Sequence, residues 1–154
     1  YSKVVNGAFT YRPVGGYRFS DRHRGAWYAA RELETSLAEV AFHRGLMLSE
    51  IAREHDEVIY VDYLADVHGA GFADLTGTDP RTLACLEPDS YANGQDLAGR
   101  LLAGGASGVT YTSVRRPAGL CLAVFKPAMV AHVRPGGRYR LTWSSGTGPD
   151  ITQP

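Results

Sequence analysis

An excess of charge of either sign is missing from this chain. Its 154 residues carry 16 Lys and Arg against 16 Asp and Glu, so the formal net charge is zero. Nothing in that balance draws it in bulk to nucleic acid or to an anionic membrane. Cysteine is scarce as well: Cys85 and Cys121 stand far apart and without metal-ligand spacing. They read as two reduced, buried thiols, which suits a cytoplasmic protein and excludes a disulfide framework. The five histidines show no zinc spacing, and there is no nucleophile elbow and no basic recognition helix. No apolar run approaches the roughly 18 residues of a membrane span, and no signal peptide is visible. The first residue is Tyr1 rather than methionine, which points to a preceding segment.

What is present suits one soluble globular domain. Hydrophobic residues make up 44% and charged residues 21%, ordinary values for a chain long enough to bury a sizeable core. No linker or internal repeat divides residues 1–154; the core is expected over about 15–143, with a flexible Ser, Gly, Pro and Thr-rich tail at 144–154. Residues 1–17 mix apolar side chains with Gly7, Pro13, Gly15 and Gly16, and read as a loop or edge segment ending in a glycine turn. Residues 26–30 (AWYAA) read as a short buried strand. Leu33, Leu37, Val40, Ala41 and Leu48 then recur at helical period, with Glu32, Ser36, Glu39 and His43 in a second stripe beside them. Gly45 either ends that helix or loosens it. A period-two strand is predicted at 57–63, a short helix at 81–86 and a helix at 93–102. Four further strands are expected at 109–114, 118–125, 129–133 and 138–143. Of these, LCLAVF is apolar on both faces and so central. Strands, then helices, then strands predict a mixed α+β fold, with mixed β-sheets and flanking helices.

The densest chemistry lies between Arg18 and Arg44. Arg18 follows a glycine turn, with Arg22, His23 and Arg24 close behind; a guanidinium fork beside flexible backbone suits phosphate, and the same cluster suits a solvated loop. Trp27 and Tyr28 alternate on the strand, so one faces the core and the other is available to a cleft. Glu39 lies three residues after Ser36, the spacing of a capping box in which it bonds back to the Ser36 amide; a helix that begins nearer Leu33 places it well inside instead, and the sequence leaves both readings open. Further on, Ser113 and Arg115 share one face of a predicted strand in TYTSVRRPAGLCLAVF, an arrangement suited to phosphate or ribose.

Taken together, Gly15-Gly16-Tyr17-Arg18-Phe19, Tyr28, Glu39, Asp74–Pro80 (DLTGTDP) and TYTSVRRPAGLCLAVF resemble the RES-domain toxins, over about residues 15–127. That family is named for an Arg, a Glu and a Ser, and its members pair with Xre-type antitoxins in bacterial toxin–antitoxin operons. The resemblance implies a fold similar to ADP-ribosyltransferase toxins and consumption of NAD+. Its members either transfer ADP-ribose to a protein target or degrade NAD+ with water or phosphate. It implies that Arg18 holds the pyrophosphate, Tyr28 the nicotinamide end and Glu39 the ribose. Ser113 then bonds ribose or amide, and neither a metal nor direct nucleic-acid contact is called for; Arg115, beside Ser113 by strand spacing, is added to the cofactor-binding set. Family members also carry an arginine near the N-terminus; Arg12 is the only early candidate and its context matches poorly. The same cleft equally suits a nucleotide-binding or antitoxin-binding module without turnover.

Overall fold

The computed structural model describes residues 1–145 and 148–154. They form four α-helices and seven strands, the latter arranged in two sheets. The first sheet has the order β1-β5-β4-β3, with β1 at Trp27–Ala30, β3 at Phe72–Leu75, β4 at Gly108–Thr112 and β5 at Leu120–Val124. Its pairs are antiparallel except β3–β4, which is parallel. The second, antiparallel sheet has the order β2-β6-β7, from Asp56–Val67, Val130–Trp143 and Asp150–Thr152. This is the mixed α+β architecture that the order of elements predicts, and β5 is central, as its two apolar faces require.

Helix α2, Leu33–Glu50, contacts β1 of the first sheet and packs on β6 of the second. Its Leu33, Leu37, Val40, Ala41 and Leu48 pack with Tyr139, Leu141 and Trp143 of β6. Leu141 is fully buried, a position at which truncation to alanine costs about 2–5 kcal/mol. The helix runs through Gly45, whose missing side chain faces the Trp143 indole at ordinary contact distance. On its far side β2 is tied down by Asp56, a buried carboxylate that accepts from Arg44 Nε at 2.7 Å.

Three expectations give way. Residues 1–17 are not a loop throughout: Ser2–Thr10 form α1. Valines and a glycine argue locally against a helix, but Val5, Val4 and Phe9 bury against Trp27, Val124 and Val130, and packing overrides propensity. Gly25 makes this possible, since a Cβ there would stand 2.6 Å from Phe9 Cα. The two strands expected at 129–133 and 138–143 are one, because Pro135-Gly136-Gly137 crosses opposite β2 at a register shift, where a proline and close backbone approach are tolerated. Nor is 144–154 a free tail: Asp150–Thr152 pair with Arg140–Thr142 of β6. For Gly146 and Thr147 that expectation lies outside the described residues. The remaining helices are α3, Pro80–Cys85, capped by the Asp79 carboxylate, and α4, Ala92–Ala103.

Candidate active site

Gly16, with φ of +68°, turns the chain into a tight corner in which Tyr17 N donates to Ser20 O at 2.9 Å. Arg18 and Phe19 occupy that corner, and both side chains are buried. Gln95 of α4 clasps it from outside, its carboxamide Nε2 donating to the carbonyls of Gly15, Tyr17 and Ser20 at 2.8–3.0 Å. Arg18 Nη1 donates to Cys85 O at 3.2 Å and Glu87 O at 2.6 Å, at the carbonyl end of α3. Its guanidinium also lies 5.1 Å from the centre of the Tyr91 ring, within cation–π range. Burial holds the Arg18 pKa below its ordinary value; Arg115 lowers it further, while Tyr91, Tyr111 and Glu39 oppose the shift.

Trp27 turns into the core and Tyr28 toward the cleft. The Tyr28 hydroxyl accepts from Phe19 N at 2.9 Å and shares a hydrogen bond with Ser20 Oγ at 3.0 Å, so its ring is fixed against the arginine corner. Burial raises the Tyr28 pKa to about 12, which keeps the phenol protonated.

Glu39 is not a capping residue. Helix α2 begins at Leu33, and Glu32, in extended conformation, precedes it as the N-cap. Glu32 Oε2 accepts from Thr35 Oγ1 at 2.9 Å and from Leu120 N at 3.2 Å, fastening the helix start to β5. Ser36 is therefore inside the helix, and Glu39 Oε1 instead accepts a hydrogen bond from Ser113 Oγ at 2.7 Å. Strand β4 stops at Thr112, two residues earlier than predicted, and Ser113 opens a turn. Within it Ser113 Oγ accepts from Arg115 N at 3.2 Å and Arg116 N at 3.0 Å. A hydroxyl has one donor and two acceptor positions, and all are in use here. Ser113 is buried beneath Glu39 rather than placed on the cavity wall. In this structure its hydroxyl donates to the Glu39 carboxylate.

These groups surround a cavity of about 640 Å³, within the range of small-molecule sites. Tyr28 forms part of its β1 wall and Ser36, Glu39 and His43 its α2 wall, and Arg18, Tyr91 and Arg115 also line it. The Arg115 guanidinium stacks 3.4 Å from the centre of the Phe42 ring and donates through Nη2 to Pro88 O at 3.2 Å. Arg44 also lines the cavity but is engaged by Asp56. His43 packs edge-on against Tyr17 and Phe42. Its pKa is held below the usual 6.5 by burial above all; Arg115 and Arg18 add to this and Glu39 opposes it. Cys121 Sγ lies 4.0 Å from Glu39 Oε1. Burial and that carboxylate raise the thiol to about 11, so it is no nucleophile at neutral pH. Arg12 is exposed and outside the cavity wall.

The structure thus gathers Arg18, Tyr28, Glu39 and Arg115 around one space and puts Ser113 behind it. Sequence reading missed Tyr91, Phe42 and Gln95. Each acts through a face or an amide presented across more than fifty residues or from a neighbouring loop, and no local pattern marks that.

The fold is α+β, and its cavity is lined by cations, aromatic rings and a hydrogen-bonded carboxylate. A family model described as the RES domain matches residues 1–144 of the chain. The chain belongs to the RES domain family, whose activities are toxin-like and linked to NAD+. No curated protein matches it.

Proposed function

We propose that this protein is the toxin of a toxin–antitoxin pair and cleaves the nicotinamide–ribose bond of NAD+ in the cytoplasm. ADP-ribose then passes to a protein target, to water or to phosphate. The observation that carries this reading is the Glu39 carboxylate, held at 2.7 Å by Ser113 on the wall of a cavity shared with Arg18 and Tyr28. When the bond breaks, its electron pair leaves with nicotinamide, which departs neutral, and positive charge develops on the ribose. A fixed carboxylate stabilises that oxocarbenium-like charge, as in glycoside hydrolysis. Arg18 and Arg115 offer cations for the pyrophosphate, and the Tyr28 ring offers a stacking face for the nicotinamide end. Because the Ser113 hydroxyl is saturated by protein partners, its role is to orient Glu39. Nothing in this chemistry requires a metal. Family membership further supports a cognate Xre-type antitoxin as partner.

The test is release of nicotinamide from NAD+ by the parent and by Glu39→Gln, with and without cell extract, followed by mass spectrometry. Losing a carboxylate that acts in the transition state should lower turnover on the order of 10²-fold or more. A folded Glu39→Gln variant turning over at the parental rate would refute the site. No release by the parent leaves a nucleotide-binding module instead. A labelled protein band, free ADP-ribose or ADP-ribose-1″-phosphate identifies the acceptor.

A further inference from the structure

Away from the cleft, the end of β2 and the start of β6 bring together three side chains that are distant in sequence. Asp66 lies on β2, and His68 follows just past the strand's end at Val67. The His68 backbone is pinned to β6's approach by its N–H, which donates to Met129 O at 2.9 Å. Across the ladder the register shifts between Leu64 and Asp66, leaving an extra residue on β6. His132 occupies that bulge with φ of +49°, a left-handed conformation that re-aims its side chain. Its Nδ1 thereby lies 2.8 Å from Asp66 Oδ2, and the His68 and His132 ring centres are 6.0 Å apart at near right angles.

One donor atom from each of Asp66, His68 and His132 falls within 4.8 Å of the others. We propose that these three residues form a binding site for a divalent transition metal, Zn2+ foremost, with the remaining position open to water. Two imidazoles and one carboxylate are a donor set suited to zinc. Metal–donor distances of about 2.0–2.1 Å require tetrahedral ligands to approach to ~3.4 Å. The Asp66–His132 pair is already closer than that, and both histidines are exposed, so rotation of His68 completes the set. One group opposes the cation. Arg134 Nη1 lies 3.6 Å from Asp66 Oδ1, held there by its 3.0 Å bond to His132 O. Bound metal would clip the end of β2 to the β6 bulge.

Isothermal titration of the untagged full chain with Zn2+ tests this. A single saturable site is expected for the parent, with a rise in melting temperature as Zn2+ is added. The His68→Ala/His132→Ala double variant should bind at least roughly tenfold more weakly, since even loss of a ligand's outer partner costs that much. Arg134→Gln should bind more tightly than the parent. His23, His43 and His55 remain in every variant, so the comparison isolates this cluster. Absence of saturable binding by the parent, or undiminished binding by the double variant, overturns the proposal.

Discussion

Replacing Ser113 with alanine separates a residue that positions Glu39 from one that binds substrate. The hydroxyl donates to Glu39 Oε1 at 2.7 Å and accepts from two backbone N–H groups, at 3.2 and 3.0 Å. A hydrogen bond to a charged group contributes about 1.5–3 kcal/mol, and an N–H left without its acceptor costs ~1 kcal/mol or more, less where water reaches it. Both N–H groups are only partly buried, so the total is about 2–4 kcal/mol. For a protein of this size that corresponds to a melting temperature lower by roughly 5–15 °C. Without its anchor the carboxylate loses its orientation, and misplacement of a reacting group by about 1 Å costs on the order of 10²-fold. Nicotinamide release from NAD+ should therefore fall in kcat while KM changes little, because the hydroxyl has no bond left to give a ligand. Unfolding followed by circular dichroism measures the first effect and steady-state kinetics the second. A Ser113→Ala protein melting within about a degree of the parent, or one with intact kcat and raised KM, would show the reasoning to be wrong.

Two other perturbations probe the same walls. The unfolded chain protonates its histidine near 6.5, whereas folded His43 has a lower pKa. Its contribution to stability is complete above the unfolded value and is lost as pH falls from there toward the folded one. Urea midpoints between about pH 7 and 5 should decline less steeply in His43→Gln than in the parent, and superimposable profiles would discard this. Gly94→Ala should destabilise by about 1–3 kcal/mol, because a Cβ there would run into the Arg18 carbonyl oxygen and lie 3.2 Å from Arg18 Cγ. Helix propensity alone predicts a gain of about 0.5–1 kcal/mol, so the sign of the change in denaturant unfolding decides between the two.

Elements whose burial follows a simple period were legible in the sequence. The Leu33–Leu48 stripe marks the face of α2 that meets β6, and the two apolar faces of LCLAVF mark the centre of a sheet. Elements that exist only through their partners were not legible. Helix α1 depends on Trp27 and Val124, and the four-residue β3 depends on lying parallel to β4. Strand β6 passes through Pro135-Gly136-Gly137 because Asp62 and Tyr139 crowd those glycines, where any side chain would collide. At the site, residue types alone left a bland reading open for each of Arg18, Tyr28, Glu39 and Ser113; the family resemblance joined them into one set, and the geometry bonds Glu39 to Ser113. The choice between a capping role and a cleft role for Glu39 turned on where α2 starts. That was decided by Glu32 bonding to a strand almost ninety residues away.

The arginine corner carries a thermodynamic consequence. A long cationic side chain usually surrenders its rotational entropy when it captures an anion. Here part of that entropy is already surrendered in folding, since two backbone carbonyls and an aromatic ring hold the Arg18 guanidinium. A phosphate bound as proposed above would meet a guanidinium already buried and held by two backbone carbonyls. Capture by Arg18 should then carry a smaller entropic penalty than capture by a mobile surface lysine, and an occupied cleft would relieve a buried charge that the empty fold has to sustain.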